Sequence, residues 1–177
     1  FKHSQLTRAI QRQAFVCFSR QFCSLDSSNQ FRHALNYCKD SSQFQSNVAL
    51  DTLTNAMSNL KKDSGDYYHA KLLQGVLFGL NNELQKSLDT FKELNTNRLN
   101  SSYHKRVHMG LAECYLQIGD PYKALEHSFS ALSYDNSYPR AKYFVGKILF
   151  ENFDQVDLSD TFIRESVYSY STLSKNE

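Results

Sequence analysis

Proline and glycine are scarce in this chain, with two prolines and six glycines in 177 residues. Strict apolar–polar alternation is also missing, and together these features argue against a turn-rich, all-β architecture. Long apolar runs are missing as well. The longest nearly apolar stretch, Leu72 to Leu80, is interrupted by Gln74 and two glycines and is far too short to cross a bilayer. No transmembrane span is therefore expected. A net charge of +2 supplies no electrostatic argument for nucleic acid. The four cysteines (Cys17, Cys23, Cys38 and Cys114) have irregular spacings and no CxxC pair. That usage speaks against a zinc framework or a disulfide scaffold, and for thiols that pack as small apolar groups in a reducing compartment.

The motifs of common catalysts are missing too. Gly75 and Gly79 sit inside a helical pattern with no Lys-Ser/Thr after them, so they form no phosphate loop. There is no GxSxG, HExxH or EF-hand pattern. His104 and His108 share a helix face at a spacing that can hold a metal ion. A third ligand is not evident, however, and Lys105 and Arg106 place positive charge between them, so packing or surface roles are expected. The chain is read as a non-enzyme with no catalytic residues, no cofactor and no metal.

What is present is helical periodicity at a length suited to one domain with a continuous core. Val48, Leu50, Leu53, Ala56, Met57 and Leu60 trace an apolar stripe at three-four spacing. Leu72, Leu73, Val76, Leu77 and Leu80 make a helix apolar over most of its circumference, as a helix with neighbours on both sides must be. The most informative stretch runs from Leu111 to Leu125. It reads as two helices meeting at Gly119-Asp120, with Ala112 and Ala124 small where the helices touch and Tyr115 and Leu125 supplying bulk. Gly119 permits a positive φ, and Asp120-Pro121 restarts a helix as cap followed by first-turn proline.

This hairpin recurs with a period in the mid-thirties. In the clearest unit, from about Lys105 to Tyr138, Ala131 is a further small position, Ser128 stands at the centre of the second helix and Asn136 at its end. One unit later, Val145-Gly146, Leu149, Phe153-Asp154 and Phe162 repeat the pattern, with Leu158 and Glu165 at the small offsets. One unit earlier, Gly75, Phe78, Asn82, Ser87 and Phe91 keep the spacing, followed by a linker at Asn95–Ser102. The weakest candidate, roughly Gln30 to Gly65, retains Ala49, Leu53 and Ala56. These residues resemble the tetratricopeptide repeat family over about 140 residues. The resemblance implies an all-α, helical-hairpin solenoid of three to four repeats. We place this repeat domain at 26–172, after a segment at 1–25 and before a polar tail at 173–177, with solvated character expected from Ser169 onward.

Residues 1–25 carry Lys2, Arg8, Arg12 and Arg20 with no acid before Asp26, and Leu6, Ile10, Ala14 and Cys17 share one side of a helical wheel. This is the profile of a mitochondrial transit peptide. Arg20-Gln21-Phe22-Cys23-Ser24 resembles a matrix-peptidase site cut after Phe22. An amphipathic docking helix is the alternative.

In the tetratricopeptide family, first helices of successive repeats line a groove that holds an extended or helical peptide. Carried onto this sequence, the groove positions are Arg106, Met109, Glu113 and Gln117, then Arg140, Tyr143, Lys147 and Phe150, with His69, Leu72 and Val76 from the preceding unit. Leu72, Val76 and Phe150 are expected to pack on neighbouring helices. The chaperone-tail clamp of one branch of the family would need basic and amide residues where this chain has Met109, Gly110, Glu113, Arg140 and Phe144, which argues against it. The expected function is a protein–protein interaction scaffold, an accessory or assembly subunit of a large mitochondrial complex such as the respiratory chain or ATP synthase. Its expected location is the mitochondrion, in the matrix or associated with the inner membrane, with protein subunits as partners. Two alternatives stand beside it: an RNA-binding or mitoribosomal helical-repeat protein, which the weak charge disfavours, and a cytoplasmic adaptor.

Overall fold

The computed structural model describes residues 46–62, 64–95 and 101–173, and holds seven helices and no strand among them. These are α1 (Ser46–Met57), α2 (Gly65–Leu80), α3 (Leu84–Asn95), α4 (Ser101–Ile118), α5 (Pro121–Tyr134), α6 (Pro139–Phe153) and α7 (Val156–Leu173). The basic segment at 1–25, the first half of the weakest repeat, and residues 174–177 lie outside the described residues. So does most of the linker before α4. Contacts divide the chain into one unit ending at Thr90 and a second beginning at Phe91.

Three helix pairs, α2/α3, α4/α5 and α6/α7, are hairpins, and each corner holds one residue in the left-handed region. These are Asn82 (φ 64°), Gly119 (φ 90°) and Asp154 (φ 54°), which recur at spacings of 37 and 35 residues (119 − 82 and 154 − 119). The corners close in the same way. The amide after the left-handed residue reaches back to the last turn in each: Glu83 N–H to the Phe78 carbonyl at 2.9 Å, Asp120 N–H to the Tyr115 carbonyl at 2.9 Å, and Gln155 N–H to the Leu149 carbonyl at 3.0 Å. At the third corner the amide of Asp154 itself also donates to the Leu149 carbonyl.

Helix starts follow the sequence. Ser64 caps α2 by accepting from Tyr67 N–H at 3.2 Å, and Asp120 caps α5 by accepting from Lys123 N–H at 3.0 Å. Both prolines of the chain, Pro121 and Pro139, occupy first-turn positions of α5 and α6, where a missing N–H costs nothing. An added Cβ at Gly119 meets no atom within 4 Å, so any penalty there is conformational. Replacing Gly119 with alanine should destabilise by about 1 kcal/mol through backbone strain alone, read as a lower urea midpoint at unchanged slope. Asparagine at the same site should recover part of that loss.

In the first unit, α1 packs on α2. The buried face of α1 is Ala49, Leu53 and Ala56, whereas Val48 is 42% exposed and the helix ends at Met57 before Leu60. Of the predicted stripe, Leu53 and Ala56 are buried and Leu50, Met57 and Leu60 half-buried, while Val48 turns outward and its neighbour Ala49 takes the inward place. Leu72, Leu73 and Leu77 of α2 are buried as predicted. Ser87 of α3 comes close enough to donate its hydroxyl to the Gly75 carbonyl at 2.7 Å.

In the second unit, Ala112, Ala124, Ser128 and Ala131 are all fully buried, so the small positions of the clearest repeat lie where helices meet. Met109, Ala131, Leu132, Ala141, Val145 and Leu149 form a core joining α4, α5 and α6, with Phe144, Phe153 and Phe162 packed against it. In the last hairpin the small residues fall at Ser159 and Ser166, one position beyond the predicted Leu158 and Glu165. The α6 helix runs one residue longer before its left-handed corner at Asp154, and the small positions shift with it. Helix α7 also continues through Ser169, which is buried, to Leu173, so the polar end expected from Ser169 belongs to a packed helix.

Candidate functional site

The first helices of the two hairpins in the second unit, α4 and α6, carry the sequence-predicted contact residues. Salt bridges tie the elements around them together. Glu113 of α4 pairs with the Arg140 guanidinium of α6, and both side chains are half-buried. Burial works against the Arg140 charge, but Glu113, with Tyr138 and Tyr170 nearby, outweighs it and raises the guanidinium above its ordinary pKa. One turn from the start of α4, Lys105 reaches Asp135 in the α5–α6 turn at 2.6 Å and lies 5.0 Å from the centroid of the Tyr138 ring. Asp135 is in turn held by Ser137, whose amide and hydroxyl donate to it at 3.0 and 2.7 Å. Behind this face, Lys142 ties α6 to Glu165 of α7 at 2.8 Å.

The six predicted contact residues separate into four groups. Met109 is 1% exposed and belongs to the three-helix core, so it sets the spacing beneath the face and does not reach its surface. Glu113 and Arg140 are brought together as the ion pair just described. Arg106 is half-buried; burial holds its guanidinium below the usual value, with Tyr138 and Tyr103 opposing that shift. It keeps its proton at neutral pH all the same. Tyr143 and Lys147, one turn apart on α6, remain accessible: Tyr143 is 43% exposed, and Lys147 has Glu151 as a distant ion partner at 3.9 Å.

Phe150 was expected to pack on a neighbour and instead stands 58% exposed one turn beyond Lys147. The sequence period could not settle this, because a phenylalanine at the edge of a helix face reads the same whether or not another helix covers it. Phe150 completes a stripe of ring, ammonium and ring along α6. The positions that a carboxylate clamp would use are otherwise engaged: Met109 and Gly110 are buried, and Phe144 packs on the core. In the first unit, His69 and Leu72 are buried, and His69 places Nδ1 2.9 Å from the Gly65 carbonyl oxygen.

A second cluster escaped sequence reading. His108 of α4 meets His127 of α5 with their Nδ1 atoms 3.0 Å apart. His127 stacks on Tyr115, while His104 and His108 both stack on Tyr134. The i, i+4 spacing of His104 and His108 was visible, but their true companion arrives from the other helix of the hairpin. Only knowledge of the hairpin register could have revealed it. Among the described residues, no group of three or more His, Cys, Asp or Glu side chains is arranged to hold a metal ion, and no helix is long and apolar enough to cross a membrane.

Hairpins with a common corner geometry, small residues at the crossings and a shared face on first helices define a tetratricopeptide-like helical-repeat protein. Comparison with solved structures agrees. The crystal structure of MamA, a helical-repeat protein of this kind, matches over 89% of this chain and 87% of its own, with a TM-score of 0.61 and 16% identity. At that identity the likeness speaks for the fold alone. A MamA RS-1 double mutant covers 82% of this chain and 97% of its own at 11% identity, but its TM-score of 0.37 carries no weight. No family model and no curated protein matches the sequence.

Proposed function

We propose that this chain is a non-enzymatic scaffold that holds another polypeptide on the α4–α6 face, as an accessory or assembly subunit of a large mitochondrial complex of the respiratory-chain or ATP synthase kind. The observation that carries the first part is the exposed stripe Tyr143–Lys147–Phe150, set beside the Glu113–Arg140 pair. Two exposed rings one turn either side of an ammonium offer apolar anchors with a charge between them, the mixture a peptide-binding surface uses. Glu113 and Glu151 set acidic groups beside Arg140 and Lys147, a mixture of signs that favours a polypeptide over a nucleic-acid backbone. The mitochondrial part rests on the basic, acid-free, amphipathic character of residues 1–25.

Site-specific photocrosslinking in mitochondria tests both parts. A photoreactive residue at Tyr143 or Phe150 should capture the same polypeptide, which comigrates with a membrane complex. The same residue at Tyr122, an exposed ring on α5, should not. Crosslinks to RNA, or none from either α6 position, would reject the scaffold reading. A reporter fused after residues 1–25 that stays in the cytosol would reject the location.

A further inference from the structure

We infer that His108 and His127 form an acid-sensitive latch between α4 and α5, closed while a single proton lies between their Nδ1 atoms and destabilised when acid supplies more. At 3.0 Å one Nδ1–H must donate and the other Nδ1 must accept, so the neutral pair consists of two opposite tautomers. A first added proton can enter at an Nε2 and leave the contact intact. A second would have to place N–H groups on both facing nitrogens, between two charged rings.

The surroundings resist even the first proton. His108 is 8% exposed, and from α4 itself the ring of His104 faces it one turn away. From α5 come Tyr134, stacked on His108 at 5.7 Å, and His127. His127 in turn faces Tyr115 of α4, Lys123 and Glu126 of its own helix, and Lys92 of α3. Glu126 is the one carboxylate in that set, and the two ammonium groups oppose it. Burial first, then His127 and His104, lower the His108 pKa to about 4. Burial, with Lys123 and Lys92 against Glu126, lowers that of His127.

The sign follows directly. Unfolded, both rings titrate near the ordinary histidine value, so the unfolded chain takes up protons that the hairpin refuses. The contribution to stability is complete above about pH 6.5 and is lost as the pH falls from there toward 4. Opening the latch would release α4, the helix that bears Arg106 and Glu113, from its partner. This inference concerns the hairpin and does not depend on the proposed function.

The test is urea unfolding of the full chain at pH 7.5 and 5.0, a window above most carboxylate titration. His108 alone should lower the folded-to-unfolded ratio by roughly thirtyfold between the two pH values. The double variant His108→Phe/His127→Phe keeps the rings without the nitrogens, and should lose most of that dependence. An unchanged wild-type ratio, or a double variant with the full wild-type dependence, would overturn the latch. Nitrogen-15 imidazole spectra of the wild type decide the matter even if the variant does not fold. Opposite neutral tautomers are expected for these two rings at pH 7.5, with His108 still neutral at pH 6, and two imidazolium signals at pH 6 would refute the proposal.

Discussion

Replacing Gly110 with valine should lower stability by about 2–3 kcal/mol, since overpacking a closed core typically costs about 1–3 kcal/mol and valine recovers only a few tenths in helix propensity. The thermal midpoint should fall by roughly 5–10 °C for a chain of this size. A Cβ at residue 110 would lie no more than 2.7 Å from Cζ, Cε1 and Cε2 of Phe91, well inside van der Waals contact. Phe91 is itself buried, so its ring has no open side to turn toward. The clash is nevertheless with a side chain, which makes it repairable. Combining Gly110→Ala with Phe91→Leu should cost less than the sum of the two single changes, with a coupling of about 1 kcal/mol or more in a double-mutant cycle. A neutral Gly110→Val would mean that α3 and α4 do not meet at this point.

Gly146 gives the second large effect, and its physics differs. A Cβ there would sit 2.8 Å from Cγ1 of Ile163, 3.0 Å from the Ser159 carbonyl oxygen and 3.4 Å from the Ile163 amide nitrogen. Two of these three atoms are main chain of α7, which can give way only if the hairpin separates. Gly146→Val should therefore cost about 3 kcal/mol, at the upper end of overpacking penalties. Trimming the side-chain contact with Ile163→Ala should fail to restore it, in contrast to the behaviour of Gly110 and Phe91. Thermal unfolding of the single and double variants checks both statements. Recovery with Ile163→Ala would show that the carbonyl of Ser159 is not the limiting contact.

These two glycines also show how far the sequence could be read. Gly146 was recognised as a crossing residue from its place in the repeat, and Ala112, Ala124 and Ala131 were recognised in the same way; all lie buried between helices. Small residues at a fixed period are legible because a helix crossing punishes bulk wherever it falls. Gly119 and Asp120 were legible because positive φ and capping each favour few residue types.

What was not legible depended on lengths and partners. The one-residue slip in α7 followed from a corner at Asp154 that any flexible polar residue could have formed. Met109 and Phe150 exchanged their expected places because a helix period states which residues share a face, not which face another helix covers. The pairing of His108 with His127 required two segments to be set in register before their side chains could be compared. The local backbone was thus read better than the candidate surface, whose composition is decided by what remains uncovered.

The assignment of the α4–α6 face to polypeptide binding is tested most directly by measuring the affinity of the crosslinked partner for wild type and for Tyr143→Ala/Phe150→Ala. Both rings are exposed, so the double change should leave the thermal midpoint nearly unmoved. Removing two aromatic anchors should weaken binding by about 2 kcal/mol or more, roughly thirtyfold. Undiminished affinity at an unchanged midpoint would contradict the role given to this face.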